Sequence, residues 1–186
     1  MRKILTVLIS LLFLCGCHAD DKYTDRAIAL RSNLISGKTC SFSAEITADY
    51  QSEIYTFALE CATDEHGNLQ FSVVKPDSIT GITGSISSGG GKLTFDDQYL
   101  VFAPLIDGWI TPVSAPWLFL KALKSGYISG CAKEENRLKI YLNDNYQGDT
   151  VDITVDLNEN DLPCGAEIFW QGRRVVTMRV ENFSIL

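Results

Sequence analysis

Histidine is nearly absent from this chain, with two in 186 residues, His18 and His66. Neither lies near a nucleophile in sequence, and His66 sits in the polar turn Glu65-His66-Gly67-Asn68, where an imidazole is ordinarily just solvated. The chain has no G-x-S-x-G elbow and no H-E-x-x-H helix. Gly89-Gly90-Gly91-Lys92 is not a phosphate loop, because Ile86 stands where the first glycine belongs and Leu93 follows the lysine. The acid pairs Asp20-Asp21 and Asp96-Asp97 read as tether and turn residues. These gaps exclude the common catalytic constellations, so we expect no enzyme. No C-x-x-C occurs either, and no metal site or cofactor is expected. Basic charge is also short, with 16 Lys and Arg against 23 Asp and Glu, a net of −7. No basic stripe exists to neutralise phosphates, which excludes nucleic acid, or to adhere to anionic lipid. No linker, repeat or low-complexity tract divides the chain, so one domain is expected.

One long apolar run is present, at residues 4–14, behind Arg2 and Lys3. Charge first and then a run too short to span a bilayer is the pattern of an export signal. Leu14-Cys15-Gly16-Cys17 follows and resembles a bacterial lipobox. That resemblance implies cleavage after residue 16 and diacylation of Cys17, with palmitate-type chains anchoring the mature N-terminus at a membrane. Loss of residues 1–16 removes two bases and no acid, leaving 14 basic against 23 acidic side chains, formally −9. The expected division is a signal peptide at 1–16, a lipidated tether at 17–23 and a domain at 24–186. Thr24 or Asp25 is positioned to cap a helix running to about Ser36, with Ala27, Leu30 and Leu34, and also Ile28 and Ile35, on its apolar side.

The remainder reads as antiparallel strands. Val151, Ile153, Val155 and Leu157 alternate with Asp152, Thr154 and Asp156, a half-buried strand. Residues 164–170 form a second strand, and a third starts after the turn Gln171-Gly172-Arg173. Setting Ile168 opposite Val176 and Ala166 opposite Met178 puts all four on one face. From Asn182 the apolar parity shifts to Phe183 and Ile185, which predicts a bulge. Residues 40–61 read as a hairpin in which paired residue numbers sum to 101, with Cys40 facing Cys61 and Phe42 facing Leu59. Further strands follow at 69–74, 79–87, 92–95, 98–103, 127–132 and 137–142, giving about ten in meander order. Between 104 and 116 the chain is irregular, with Trp109 and three prolines. Ser114 is placed to cap a helix over 117–124 that is apolar nearly all round and stops at Gly126. Such a helix is buried on more than one side or lids a cavity.

Of the six cysteines, four remain in the expected domain, Cys40, Cys61, Cys131 and Cys164. An even number in an exported chain reads as two disulfides, with the hairpin favouring Cys40–Cys61 and leaving Cys131–Cys164. Reduced buried cysteines are the alternative.

The order of these elements carries a family resemblance. A strand, then "D…N-x-L-P", then a strand ending in an aromatic, then QGRRVVTMRVENFSI resembles the last strands of LolA-like lipoprotein carriers. The run strand, KPDSITG, strand, Gly-rich turn, strand, DDQYLVF is similar to the middle of that pattern. The resemblance implies a mainly β fold: an unclosed, strongly curved antiparallel barrel with an N-terminal helix and a mid-chain helical lid over an apolar hollow. It implies Trp109, Trp117, Phe119, Leu120, Leu123 and Trp170 as ligand-binding residues, with an acyl chain or another apolar molecule as ligand. A lipid tether at Cys17 departs from a freely shuttling carrier. The layout is also similar to that of clostridial germination lipoproteins, which implies the alternative of a non-catalytic envelope protein that docks and stabilises a partner, such as a cell-wall or spore-germination enzyme. Either way the expected location is the outer face of the bacterial cytoplasmic membrane, or another envelope membrane.

Overall fold

In the computed structural model of the chain, residues 21–106, 109–146 and 148–186 are described. The expected signal peptide, Cys17 and most of the tether lie outside them. Helix α1 spans Asp21–Ser36, so residues 21–23 of the expected tether are helical. Ala27, Leu30 and Leu34 are buried, at the i, i+3, i+7 spacing of a single stripe. Ile28 and Ile35, expected on the same side, are 52% and 63% exposed, because one apolar stripe faces the sheet and they fall outside it.

Thirteen strands follow among the described residues. They are β1 (Cys40–Asp49), β2 (Ile54–Thr63), β3 (Leu69–Lys75), β4 (Thr83–Ser87), β5 (Gly90–Phe95), β6 (Gln98–Phe102), β7 (Leu105–Ile106), β8 (Trp109–Ile110), β9 (Tyr127–Glu134), β10 (Arg137–Tyr146), β11 (Asp149–Leu157), β12 (Pro163–Trp170) and β13 (Arg173–Ile185). Eleven of them form one antiparallel sheet in the order β6-β5-β4-β3-β2-β1-β13-β12-β11-β10-β9, while β7 and β8 make a separate hairpin. Two meanders, β1–β6 and β9–β13, are joined along the β1–β13 seam, and β6 and β9 are the unpaired edges. The sheet is curved but not closed. Between those edges the chain passes through the β7–β8 hairpin and helix α2 (Ala115–Ser125).

The expected strand pairings hold on the C-terminal side by an unexpected route. Ile168 does face Val176, and Ala166 faces Met178. A two-residue turn, Gln171-Gly172, would by itself give the other parity, since Trp170 pairs with Arg173 and Phe169 with Arg174. A bulge then takes up Val175 and restores the apolar face. The bulge predicted at Asn182 is present: Ser41 pairs with Ser184 but Ser43 with Glu181, and Asn182 has φ +54°.

The β1–β2 register is a correction. Phe42 faces Cys61, Ala44 faces Leu59 and Ile46 faces Phe57, so paired numbers sum to 103 and Cys40 is not opposite Cys61. A shift of two keeps every side chain on its face, so the apolar pattern cannot distinguish the two registers. The turn decides. Gln51-Ser52 forms its tip with Gln51 at φ +68°, Gln51 N donates to Asp49 Oδ1 at 2.8 Å, and Tyr50 N donates to Glu53 O at 3.0 Å. The other register would centre the tip on Tyr50 and Gln51.

The disulfides are corrected with it. Cys40, Cys61 and Cys164 are free thiols. Cys40 N instead donates to Thr63 Oγ1 at 2.8 Å, and the Thr63 hydroxyl donates back to Cys40 Sγ at 3.5 Å. Burial pushes the Cys40 and Cys61 thiols up, which keeps them protonated and poorly nucleophilic. Cys131 lies on β9 and Cys164 on β12, with β10 and β11 between them. Three strand spacings of about 4.8 Å far exceed the reach of a disulfide.

The hollow of the sheet is occupied by α2. Phe119 packs edge-on to Phe42 of β1 (centroids 5.9 Å apart) and to Phe183 of β13 (6.3 Å), and Phe42 stacks on Phe183 (5.5 Å). On another side Trp117 meets Tyr146 of β10 edge to face at 5.6 Å, and Lys121 bridges to Asp144 at 2.5 Å. Fully burying side chains of this size stabilises by roughly 1.5–3 kcal/mol each. Ser114 does not cap the helix through its side chain. Its hydroxyl donates backwards to Pro104 O (2.9 Å) and Thr111 O (2.6 Å), stitching the β7–β8 segment to the start of α2. At the other end Gly126 N closes on Ala122 O at 2.8 Å. Arg31 of α1 satisfies the last carbonyls, donating to Leu123 O and Gly126 O at 2.7 Å each.

Candidate functional site

Alternation along β2, β3 and β5 sends Phe57, Val73 and Leu93 to the concave face. Toward the end of these strands where the β1–β2, β3–β4 and β5–β6 turns gather, α2 has not yet begun, and the concave face is left uncovered. The result is an open cleft of about 930 Å³. Its floor is Phe57, Val73, Ile82 and Leu93, and its walls are Ile79 from the β3–β4 connection and Ile110, Pro112 and Val113 from the segment leading into α2. Tyr50, Ser52, Glu53 and Tyr55 from the β1–β2 turn close one side. Volume and lining fall within the range of small-molecule sites: mostly apolar, with a few polar groups at the edge.

The polar edge is ordered. The Tyr50 hydroxyl donates to Ile110 O, tying the β1–β2 turn to β8, and burial pushes its phenol up to about 12. The Tyr55 hydroxyl donates to the Glu53 carboxylate. The two tyrosine rings lie tilted at 60° with centroids 6.2 Å apart. The wall formed by 111–113 is pinned by Thr111, whose hydroxyl donates to Ala103 O at 2.8 Å and whose N donates to Pro104 O at 2.9 Å. The apolar face continues past the cleft, because Leu93 pairs with Leu100 of the edge strand, which is 63% exposed.

The residues expected to bind ligand lie elsewhere. Phe119, Leu120, Leu123 and Trp117 are 0, 3, 3 and 6% exposed, so they are core side chains and the space beneath the helix is filled by the helix itself. Trp117 and Leu120 also border a second, more polar groove beside Lys124, Lys38 and the β2–β3 turn. Trp170 is half-buried at the end of β12 and does not line the cleft. The side chain of Trp109 lies outside what the structure describes, although the β8 strand that carries it borders the cleft through Ile110. Sequence reading missed Tyr50, Tyr55, Ile79, Ile82 and Val113. The apolar positions 79 and 82 were legible but were read as strand, whereas Asp77–Ile79 is a 3-10 turn that lifts Ile79 over the concave face. His66 is exposed in its turn, where its backbone N donates to Asp64 Oδ1 at 2.9 Å. Among the described residues, no group of three or more His, Cys, Asp or Glu is placed to hold a metal ion.

No protein-family profile matches the chain, and no curated protein matches it. Solved structures do. The chain is similar in structure to LolA superfamily proteins. One from Nitrosomonas europaea aligns over 86% of this chain and 93% of its own, at 8% identity and a TM-score of 0.45. A putative outer membrane lipoprotein-sorting protein domain from Vibrio parahaemolyticus aligns over 89% and 92%, at 11% and 0.47. A DUF1329 family protein from Desulfovibrio piger aligns over 88% and 92%, at 7% and 0.49. At these identities and scores the similarity carries no ligand or partner over to this chain, and the functional reading has to rest on the cleft.

Proposed function

We propose that this protein is an exported, membrane-tethered binding protein that takes an acyl chain or another apolar chain into the cleft at the open end of its curved sheet. One observation supports this above the others: an apolar concavity of about 930 Å³ that the chain's own helix leaves uncovered, with Ile79 at its wall still 38% exposed. Apolar chains need burial and not hydrogen bonds, which is what this lining offers. The lipobox-like Leu14-Cys15-Gly16-Cys17 supports the tether.

The test titrates the domain without residues 1–17 with fatty acids and lysolipids and follows the melting temperature. A ligand that binds only the folded state at a hundred times its Kd adds about 2.7 kcal/mol of stability. Ile79→Glu and Val113→Glu, on facing walls and neither of them buried, should abolish the response and leave the circular dichroism unchanged. Leu120→Glu would be uninformative, since it puts a charge into the core. No shift with any acyl ligand overturns the binding reading. For the tether, Cys17→Ala in the full chain should release the protein from membranes or stop its processing.

A second reading has its own observation. Edge strand β6 exposes Tyr99, Leu100 and Val101 at 68, 63 and 68%, with its outer backbone groups unpaired within the sheet. Edges of this kind are where partner strands add, and this favours docking of an envelope protein as the alternative.

A further inference from the structure

The cleft has a chemical asymmetry that an acyl-chain reading does not use. Among its lining residues one carries a formal charge, Glu53, and none is basic. Glu53 is exposed and has no ion pair among the described residues. It stands beside two aromatic rings, Tyr50 and Tyr55, whose centroids are 6.2 Å apart and tilted at 60°. Both hydroxyls are engaged, Tyr50 with Ile110 O and Tyr55 with Glu53 itself, so their bonds hold the rings in place. The bond from Tyr55 also orients the carboxylate. Two aromatic rings and a carboxylate in the lining at one corner of an apolar cleft suit an ammonium group, which is drawn to π-systems and to negative charge while its alkyl portion is buried. The acidic turn Asp96-Asp97 follows β5, whose Leu93 lies on the cleft floor, and the chain as a whole carries −7, so the longer-range field has the same sign.

Resting on the binding reading above, we propose that the cleft selects amphiphiles whose apolar chain carries an ammonium group, held by Tyr50, Tyr55 and Glu53, over free fatty acids of the same length. A carboxylate head at this corner would face Glu53 at close range, with no basic side chain among the described residues that line the cleft.

Three probes with the same twelve-carbon chain, each below its micelle concentration, separate the terms: dodecyltrimethylammonium, dodecanoate and the neutral dodecyl maltoside. Calorimetric titration at low salt should find the ammonium bound about tenfold tighter than the neutral chain, with dodecanoate the weakest, and the spread should narrow as salt rises. Glu53→Gln and Tyr55→Leu, both at exposed positions, should each remove the advantage of the ammonium over the maltoside measured on the same variant. Glu159→Gln, in the β11–β12 turn, alters net charge equally and should leave the preference intact. Dodecanoate binding as tightly as the ammonium, or a preference that survives Glu53→Gln, overturns this inference while leaving the apolar cleft standing. Failure of all three probes to bind overturns the cleft reading as well.

Discussion

Tyr50 joins a turn to a wall. Its ring lines the cleft, and its hydroxyl is bonded to Ile110 O across the mouth. Burial disfavours the phenolate and pushes the group up to about 12. Tyr141 is pushed up to about 12 as well, first by the bond its hydroxyl donates to Glu134 at 2.6 Å, then by burial and the negative charge nearby. A folded-state value above the unfolded value of about 10 means stability that is whole below pH 10 and is lost as pH rises from 10 towards 12. Tyr50 and Tyr141, together with Tyr146, which burial also pushes up, should therefore ionise late when absorbance near 295 nm is followed in the native protein, and the melting temperature should fall over that same window. Tyr50→Phe should remove one of the late titrations. If all seven tyrosines ionise together near pH 10, the hydroxyl of Tyr50 is not held as described. Little of this residue-level detail was legible in advance. Cys40 and Cys61 stood out because they are rare, yet their relation depended on a register that two alternatives satisfied equally. Tyr50 and Tyr55 were two aromatics at a hairpin tip, and nothing in their spacing announced that β8 would come to lie against them.

Elements were more legible than residues. Alternation of period two located nearly every strand, and the two bulges of β13, at Val175 and Asn182, preserve an apolar face that the sequence displays. Errors gathered where pattern is silent: the β1–β2 register, set by its turn, and residues 104–114, whose two short strands and 3-10 turn are held by side-chain bonds from Thr111 and Ser114 to Ala103 O and Pro104 O. The apolar helix was located with two roles open, buried on more than one side or lidding a cavity, and its buried side chains fit the first. Low polarity all round marks burial, and burial inside a curved sheet means that the helix fills the hollow instead of roofing it. What fixes α2 at its C-terminal end is Arg31 of α1, donating to Leu123 O, Gly126 O and, at 3.3 Å, Ala122 O. A cation on the last carbonyls answers both the unpaired acceptors and the negative end of the helix. Arg31→Ala should cost on the order of 1.5–3 kcal/mol in urea unfolding, the range for hydrogen bonds to charged groups. Arg31→Lys should recover part of it, since a point charge cannot reach three carbonyls in a fork. Equal stability of all three proteins would mean that water caps the helix as well as Arg31 does.

At the scale of the molecule the arrangement is a sheet assembled from its middle. β1 and β13 lie at the centre of the eleven strands although they are the first and last in the chain, so the seam closes only when the ends of the domain meet. Ala44, Ile46, Met178 and Val180 bury that seam, and Phe119 of α2 packs over it through Phe42 and Phe183. Moving outward along β2 to β6, burial declines. β2 and β3 still alternate buried and exposed, whereas β6 has four of its five residues exposed. Gly84 and Gly91 belong to this thinning. A Cβ on Gly84 would lie 2.3 Å from the Phe71 ring, and one on Gly91 would lie 2.2 Å from the Phe102 ring, so the outer strands are covered by rings lying flat on glycines and have little core of their own. Opening free energies follow buried apolar contact, so hydrogen exchange should be graded across the sheet. Amides of β1, β13 and β12 should exchange at the rate of global unfolding. Those of β5 should exchange sooner, and those of β6 within the dead time or close to it. Binding an apolar chain between Leu93, Ile79 and Val113 should slow exchange in β3–β5, where the ligand adds contacts directly, and should slow the seam as well, by no more than the ligand adds to global stability. The outcome that counts against this picture is β6 as protected as β1 in the absence of ligand at concentrations where the protein is otherwise monomeric. The edge would then be covered in solution by another strand, and the docking reading would displace the cleft as the protein's main surface.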